Sequence, residues 1–155
     1  MFLDASKNRL EQLPPEIDGC VSLADLHLSL NLLRSLPDTL GRLSSLTSLK
    51  VDENRLTHLP FSIGGLACDF SWFSAFILVQ VASFFCRLVS LSELNIAAND
   101  LEELPSSMGL LRHLRTLYAD ENFLEEIPPE VCDATGCNPS LDLKHEYHSS
   151  LILAR

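Results

Sequence analysis

The sequence predicts a solenoid of stacked coils, each giving one short strand to a parallel sheet, and three features of its 155 residues carry that expectation. Asparagine recurs at a fixed interval: Asn8, Asn31 and Asn54 are spaced by 23, and so are Asn99 and Asn122. Each is followed at constant offsets by a leucine (Leu10, Leu33, Leu56, Leu101, Leu124), an apolar residue (Leu13, Leu36, Leu59, Leu104, Ile127) and a proline (Pro14, Pro37, Pro60, Pro105, Pro128). Each is preceded by an alternating apolar segment, such as Leu46-Thr47-Ser48-Leu49-Lys50-Val51.

The alternating segment has a period of two, the mark of a strand with one buried face. It predicts strands at Leu26 to Leu28, Leu49 to Val51, Leu94 to Ile96 and Leu117 to Ala119. The asparagine falls where the strand turns a corner, and its amide can satisfy backbone groups that would otherwise be buried unpaired. Proline, with fixed φ and no N–H, suits a coil side that has left the sheet. Beyond it, Ile17, Leu40, Ile63, Met108 and Val131 recur at one offset and anchor the far side inward. A single coil cannot bury its apolar row, so coils stack and their leucines interlock. The expected fold is therefore a leucine-rich-repeat solenoid, an α/β-class repeat protein. Short parallel strands line its concave face, and irregular or 3-10 turns its convex face. A helical bundle is excluded, because the prolines would break every candidate helix.

Five coils are expected, organised as repeats 1–3 over residues 1–65 with the first truncated, an apolar insertion over 66–87, repeats 4–5 over 88–131, and an irregular tail over 132–155. Leu46 to Leu91 spans 45 residues where 23 are due, an excess of 22. In the expected register Asp69, Trp72 and Ser74 would hold leucine positions, so the excess is not a sixth coil. Phe70 to Cys86 carries no charge and reaches the short edge of a transmembrane helix, which opens an alternative: a single-pass membrane receptor. A span there would force neighbouring coils onto opposite sides of a bilayer. Deleting Leu66 to Arg87 instead restores the 23-residue period. Phe84-Phe85-Cys86-Arg87 can be encoded as a pyrimidine tract followed by AG, so the interval reads as a retained intron translated in frame.

The segments "LHLSLNLLRSLPDTLGRLSSLTSLKVDENRLTHLPFSIGGL" and "LNIAANDLEELPSSMGLLRHLRTLYADENFLEEIPPEV" resemble the repeats of the LAP family, scaffolds that combine leucine-rich repeats with PDZ domains. The erbin and densin branch looks closest, on the wording "LKVDENRL" and "ADENFL". The resemblance covers Met1 to Gly65 and Leu88 to Val131, and no PDZ domain accompanies it, so the chain reads as a fragment. What the resemblance implies is a cytoplasmic protein-binding scaffold or adaptor in signal transduction, at the cytosolic side of cell junctions or synapses.

Composition agrees with a folded chain, at 46% hydrophobic and 21% charged residues. A formal charge of −10 argues against nucleic acid and against acidic membrane surfaces, and favours a protein partner with a basic surface. Five cysteines without regular spacing, and no basic and long apolar run near Met1, point to the reducing cytosol. No enzyme is expected. No serine or cysteine has a base partner at motif spacing, and Cys20 holds an inward apolar register position. Cys132, Cys137, His145 and His148 match no zinc spacing, so neither metal nor cofactor is expected. The candidate site is the concave face. Asp4, His27, Lys50, Asn95 and Tyr118 fall in one outward row, with Asp52, Glu53, Asp120 and Glu121 at the strand exits. Each alone reads as a solvated position, whereas as a set they form an extended surface suited to a protein partner. Tyr118 is its expected anchor.

Overall fold

In a computed structural model the described residues are 1–64, 88, 90–135 and 152–154. Five three-residue strands, β1 (Phe2–Asp4), β2 (Asp25–His27), β3 (Ser48–Lys50), β4 (Glu93–Asn95) and β5 (Thr116–Tyr118), lie parallel in sequence order. The middle residues Leu26, Leu49, Leu94 and Leu117 are fully buried and stand opposite one another. Each strand begins one residue earlier than the alternation predicts. Pairing still runs past the strand ends, since Leu28 N–H donates to Lys50 O at 2.7 Å and Val51 N–H to Asn95 O at 2.9 Å. The two inward residues of each segment therefore do not bracket the strand. The first is its centre and the second lies just beyond it.

The asparagines tie the coils together. Asn54 Nδ2 donates to Leu28 O and Val51 O, Asn99 Nδ2 to Val51 O and Ile96 O, and Asn122 Nδ2 to Ile96 O and Ala119 O, all within 2.9–3.1 Å. Val51 O and Ile96 O thus each accept from their own coil's asparagine and from the next one. The amide oxygens Asn31 Oδ1, Asn54 Oδ1, Asn99 Oδ1 and Asn122 Oδ1 accept the N–H groups of Leu10, Leu33, Leu56 and Leu101. One side chain satisfies buried backbone groups in two coils, which a short polar amide alone can do at such a corner. The residue before each asparagine is left-handed: Lys7, Leu30, Glu53, Ala98 and Glu121 have φ between 50° and 57°. Repetition at one register shows that the corner imposes this backbone, uncommon for side chains other than glycine.

The convex side is a stack of 3-10 turns at Pro15–Gly19, Asp38–Arg42, Phe61–Gly64 and Ser106–Leu110. Extended prolines precede them, at φ −66° for Pro14, −71° for Pro37 and −67° for Pro105. Ile17, Leu40, Ile63, Met108 and Val131 are buried beneath, as the fixed offset predicts. The fifth coil closes with a short helix, α1 (Pro129–Thr135), instead of a 3-10 turn, begun by a proline at a position where helices tolerate one. Glycine is demanded where the turns touch. A Cβ on Gly41 would sit 2.5 Å from Ser62 O, and one on Gly64 would run into the Ser107 carbonyl.

The interruption falls between two turns and leaves the stack intact. Gly64 and Leu88 take the places that Gly41 and Leu43 hold one coil earlier. Leu88 is buried, and Leu91 N–H donates to its carbonyl at 3.1 Å as Leu46 N–H does to Leu43 O at 3.0 Å. The interval 66–87, with the Phe70 to Cys86 run, lies outside the described residues, and so do Cys137, His145 and His148. Besides α1, the sequence did not anticipate β6 (Ile152–Ala154), which pairs antiparallel with β5, Leu153 opposite Leu117.

Candidate functional site

The outward row expected from the sequence exists as a row of strand partners. Asp4 stands opposite His27, His27 opposite Lys50, Lys50 opposite Asn95 and Asn95 opposite Tyr118. Residues one repeat apart meet across adjacent strands, which is 23 residues at every step but the one from Lys50 to Asn95, where it is 45. The row is continuous across the interruption. Asp52, Glu53, Asp120 and Glu121 follow at the strand exits. Glu53 and Glu121 are exposed on the left-handed corners, while Asp52 and Asp120 are half-buried.

A second outward row escaped the sequence reading: Phe2, Asp25, Ser48, Glu93 and Thr116, on the other side of the same inward leucines. The signal was available, since a period of two puts a residue on each flank of an inward leucine on the same face. The two rows interact. Lys50 Nζ lies 3.2 Å from Glu93 Oε1, and Ser48 Oγ donates to Glu93 Oε2 at 3.2 Å. The Phe2 and His27 rings meet edge to face at 5.0 Å. The half-exposed Lys50–Glu93 pair is worth little to stability, so its significance lies in fixing where one positive and one negative group sit on the face.

Several of the expected residues serve the backbone as well. Asp4 Oδ1 accepts the Ser6 N–H at 2.9 Å, and Asn95 Oδ1 accepts the Ala97 N–H at 3.1 Å, the same turn in two coils. The Ser6 amide holds the Asp4 carboxyl below the usual aspartate range. Ser29 Oγ donates to Asp52 Oδ1 at 2.7 Å, linking two strand exits. Tyr118 is half-buried with Asn95 on one side and the backbone of β6 on the other, so the expected anchor sits inside the sheet rather than at its edge.

Two polar groupings stand out beside the rows among the described residues. Thr57 Oγ1 lies 3.0 Å from His58 Nδ1, and both side chains are exposed to water. A depression at the strand entrances is lined by Thr47, Ser90, Ser92, His113 and Arg115. Its hydroxyls donate inward to Ala24 O, Ser44 O and Thr47 O, so they do not converge on a ligand. Cys20 packs against the core and Cys132 is buried on α1, the placement of small hydrophobes.

No protein-family model and no curated protein matches the chain. Solved structures do. It is similar to a leucine-rich-repeat protein of Leptospira interrogans, with 29% identity and a TM-score of 0.70 over 86% of this chain and 28% of that one. A plant peptide hormone receptor solved in complex with RGF2 matches at 26% identity and a TM-score of 0.66, over 86% of this chain and 19% of the receptor. The leucine-rich-repeat domain of the type III effector XopL matches at 27% identity and a TM-score of 0.63, over 84% and 39%. The fold is a leucine-rich-repeat solenoid, and the chain spans well under half the length of these neighbours.

Proposed function

We propose that the chain is a protein-binding module, a cytosolic scaffold or adaptor element whose concave face receives a partner with a basic surface. The observation that carries this reading is the unbroken outward row from Asp4 to Tyr118 across five parallel strands, flanked by the second row from Phe2 to Thr116. Such a surface presents aligned side chains on a rigid lattice, the way repeat proteins engage extended partners. Asp4, Asp25, Asp52, Glu93 and Asp120 outnumber Lys50 on it, and the chain as a whole carries −10, so a basic partner is attracted and an acidic one repelled. The LAP-like wording of the coils supports a signalling role at the cytosolic side of cell junctions or synapses.

The receptor alternative places a single membrane crossing between residues 70 and 86, outside the described residues. Against it stands the pairing of Leu49 with Leu94: hydrogen-bonded neighbours in one sheet lie on the same side of a hydrocarbon core about 30 Å thick.

Photo-crosslinking tests the reading. A crosslinker at Tyr118 or Asn95 should trap a defined cytosolic partner whose capture falls on charge reversal at Asp52 and Asp120. A crosslinker at Arg42 on the convex side should not trap it. Equal capture from both faces would overturn the concave-face assignment.

A further inference from the structure

The wall of the solenoid that follows each ladder asparagine has a charge pattern the concave face does not explain. Its first column runs Arg9, Leu32, Arg55, Asp100, Phe123, and its second runs Glu11, Arg34, Thr57, Glu102, Glu125. Backbone bonds keep these columns straight. Leu32 N–H donates to Leu10 O at 2.9 Å, Arg55 N–H to Leu33 O at 2.9 Å, Asp100 N–H to Leu56 O at 3.0 Å and Phe123 N–H to Leu101 O at 2.8 Å. All of these side chains are exposed except Leu32, which is half-buried, and Phe123 leaves 66% of its surface in water. Arginine thus dominates the wall on coils two and three, and carboxylates crowd it on coils four and five, where Glu103 and Glu126 add to the patch. Among the described residues, Arg34 and Arg55 have no carboxylate partner.

We propose that this wall is a self-complementary docking surface that joins two copies of the chain antiparallel, about a two-fold axis passing between the third and fourth coils. Such an axis, lying in the plane of the wall and across the columns, reverses the order of coils and sets each column against itself. Coil three then meets coil four of the second copy, and coil two meets coil five. Arg55 faces Asp100, Arg34 faces Glu125 and Leu32 faces Phe123, while His58 faces Glu103. Every one of these contacts occurs twice, as a two-fold interface requires. The register is selective. An axis through coil three sets Arg55 against Arg55, and an axis through coil four sets Asp100 against Asp100. Moving it between coils two and three opposes Glu11 and Glu102, and between coils four and five it opposes Glu102 and Glu125. Like charges placed opposite one another suppress those alternatives.

The same charges set the strength. Two copies at −10 repel at long range, a repulsion screened beyond about 10 Å at 0.1 M salt. The two walls overlap over only four coils at about 4.8 Å per coil, so the contact falls at the small end of specific interfaces. Association on the order of 100 µM is expected, with Phe123 on Leu32 as the apolar contact at each end of the interface.

Sedimentation equilibrium of the full chain in 0.1 M salt tests the proposal. The wild type should pass from monomer to dimer near ~100 µM. Arg34→Glu with Arg55→Glu leaves Arg9 as the one arginine of the two columns, and Asp100→Arg with Glu125→Arg leaves Glu11 and Glu102 as their only carboxylates. Each doubly substituted chain should self-associate at least about tenfold more weakly, and an equimolar mixture of the two should pair at least as tightly as the wild type. In parallel, a chain with Leu32→Cys and Phe123→Cys should give a covalently linked dimer under mild oxidation that neither single cysteine variant gives. A wild type monomeric to about 1 mM would overturn the proposal, and so would failure of the mixture to pair or absence of the crosslink. These outcomes are separable from the concave-face reading, because no wall residue belongs to either concave row.

Discussion

Leu49 and Leu94 are 45 residues apart in the chain and directly opposite one another in adjacent parallel strands. Their neighbours keep the same register, Ser48 opposite Glu93 and Lys50 opposite Asn95. The ladder keeps it too: Leu56 N–H reaches Asn99 Oδ1 over 43 residues, where Leu33 N–H reaches Asn54 Oδ1 over 21, and both distances are 3.0 Å. The difference of 22 equals the excess in the sequence. Coils three and four therefore stack as though they were consecutive, and several expectations depend on that.

Removing a ladder amide should cost stability in proportion to its burial. Asn99 is buried and bonds to Leu56 N–H, Val51 O, Ile96 O and Ala97 O. Asn99→Ala leaves the Leu56 N–H without its acceptor, while Val51 O and Ile96 O keep Asn54 and Asn122. A loss of about 2–4 kcal/mol is expected. Asn8, exposed and bonded among the described residues only to Ala5 O and Ser6 O, should lose about 1 kcal/mol or less on the same change. Urea denaturation of the two variants gives the comparison. Equal losses would show that the ladder does not bridge coils.

The convex glycines should separate in the same way. A Cβ at Gly109 would lie 2.6 Å from the Glu130 carbonyl, so Gly109→Ala must push the fourth turn off α1 and should destabilise by roughly 1–3 kcal/mol. Gly19 has nothing within 4 Å of that point. Gly19→Ala should be neutral or stabilising by up to about 1 kcal/mol, through the unfolded chain. Thermal midpoints of the pair decide it, and a larger loss at Gly19 would contradict the packing described.

Much of this was legible in the sequence, and the failures have physical causes. Inward positions repeat every 23 residues because each contacts its own counterpart, so Leu26, Leu49, Leu94 and Leu117 could be placed from spacing alone. The strand ends could not. Leu28 and Val51 are as buried as the strand centres, and burial does not tell a strand residue from one just past it. β6 was illegible for another reason. It joins the sheet antiparallel from the tail, so its residues share no register with the repeat, and a three-residue strand has too little alternation to read. Of the two outward rows one was legible: spacing placed Asp4 to Tyr118, the row from Phe2 to Thr116 was missed, and the Lys50–Glu93 and Phe2–His27 contacts depend on side chains reaching between rows.

Asp4 supplies a dependence on pH. The Ser6 N–H bond stabilises its charged form, so its folded carboxyl titrates below that of the unfolded chain. The contribution is complete above the unfolded value and is lost as pH falls through the folded one. Its carboxyl resonance should titrate below the ordinary aspartate range, and the Ser6 amide shift should follow with the same midpoint. A Ser6 amide that does not move over that range would mean the bond does not form in solution.

The most discriminating prediction concerns the interruption. Deletion of Leu66 to Arg87 would bring Gly65 directly to Leu88, which gives Gly64, Gly65 and Leu88 the spacing of Gly41, Arg42 and Leu43. The flanking coils already hold the positions such a join requires: the strand register, the ladder and the buried anchors Ile63, Leu88 and Leu91 are all in place. The deleted chain should keep its sheet, lose the closure entropy of 22 extra residues and shed Phe, Trp and Ile side chains that favour aggregation. A higher unfolding midpoint and greater solubility are expected, at an unchanged circular dichroism signal per coil. If the interval is an intron, genomic DNA must carry a splice donor near Gly65 and an acceptor within the Arg87 codon, and a shorter transcript must encode the join. A deleted chain that loses its strand signal or precipitates more readily would show that coils three and four depend on the inserted residues for their stacking, and the intron account would fall with it.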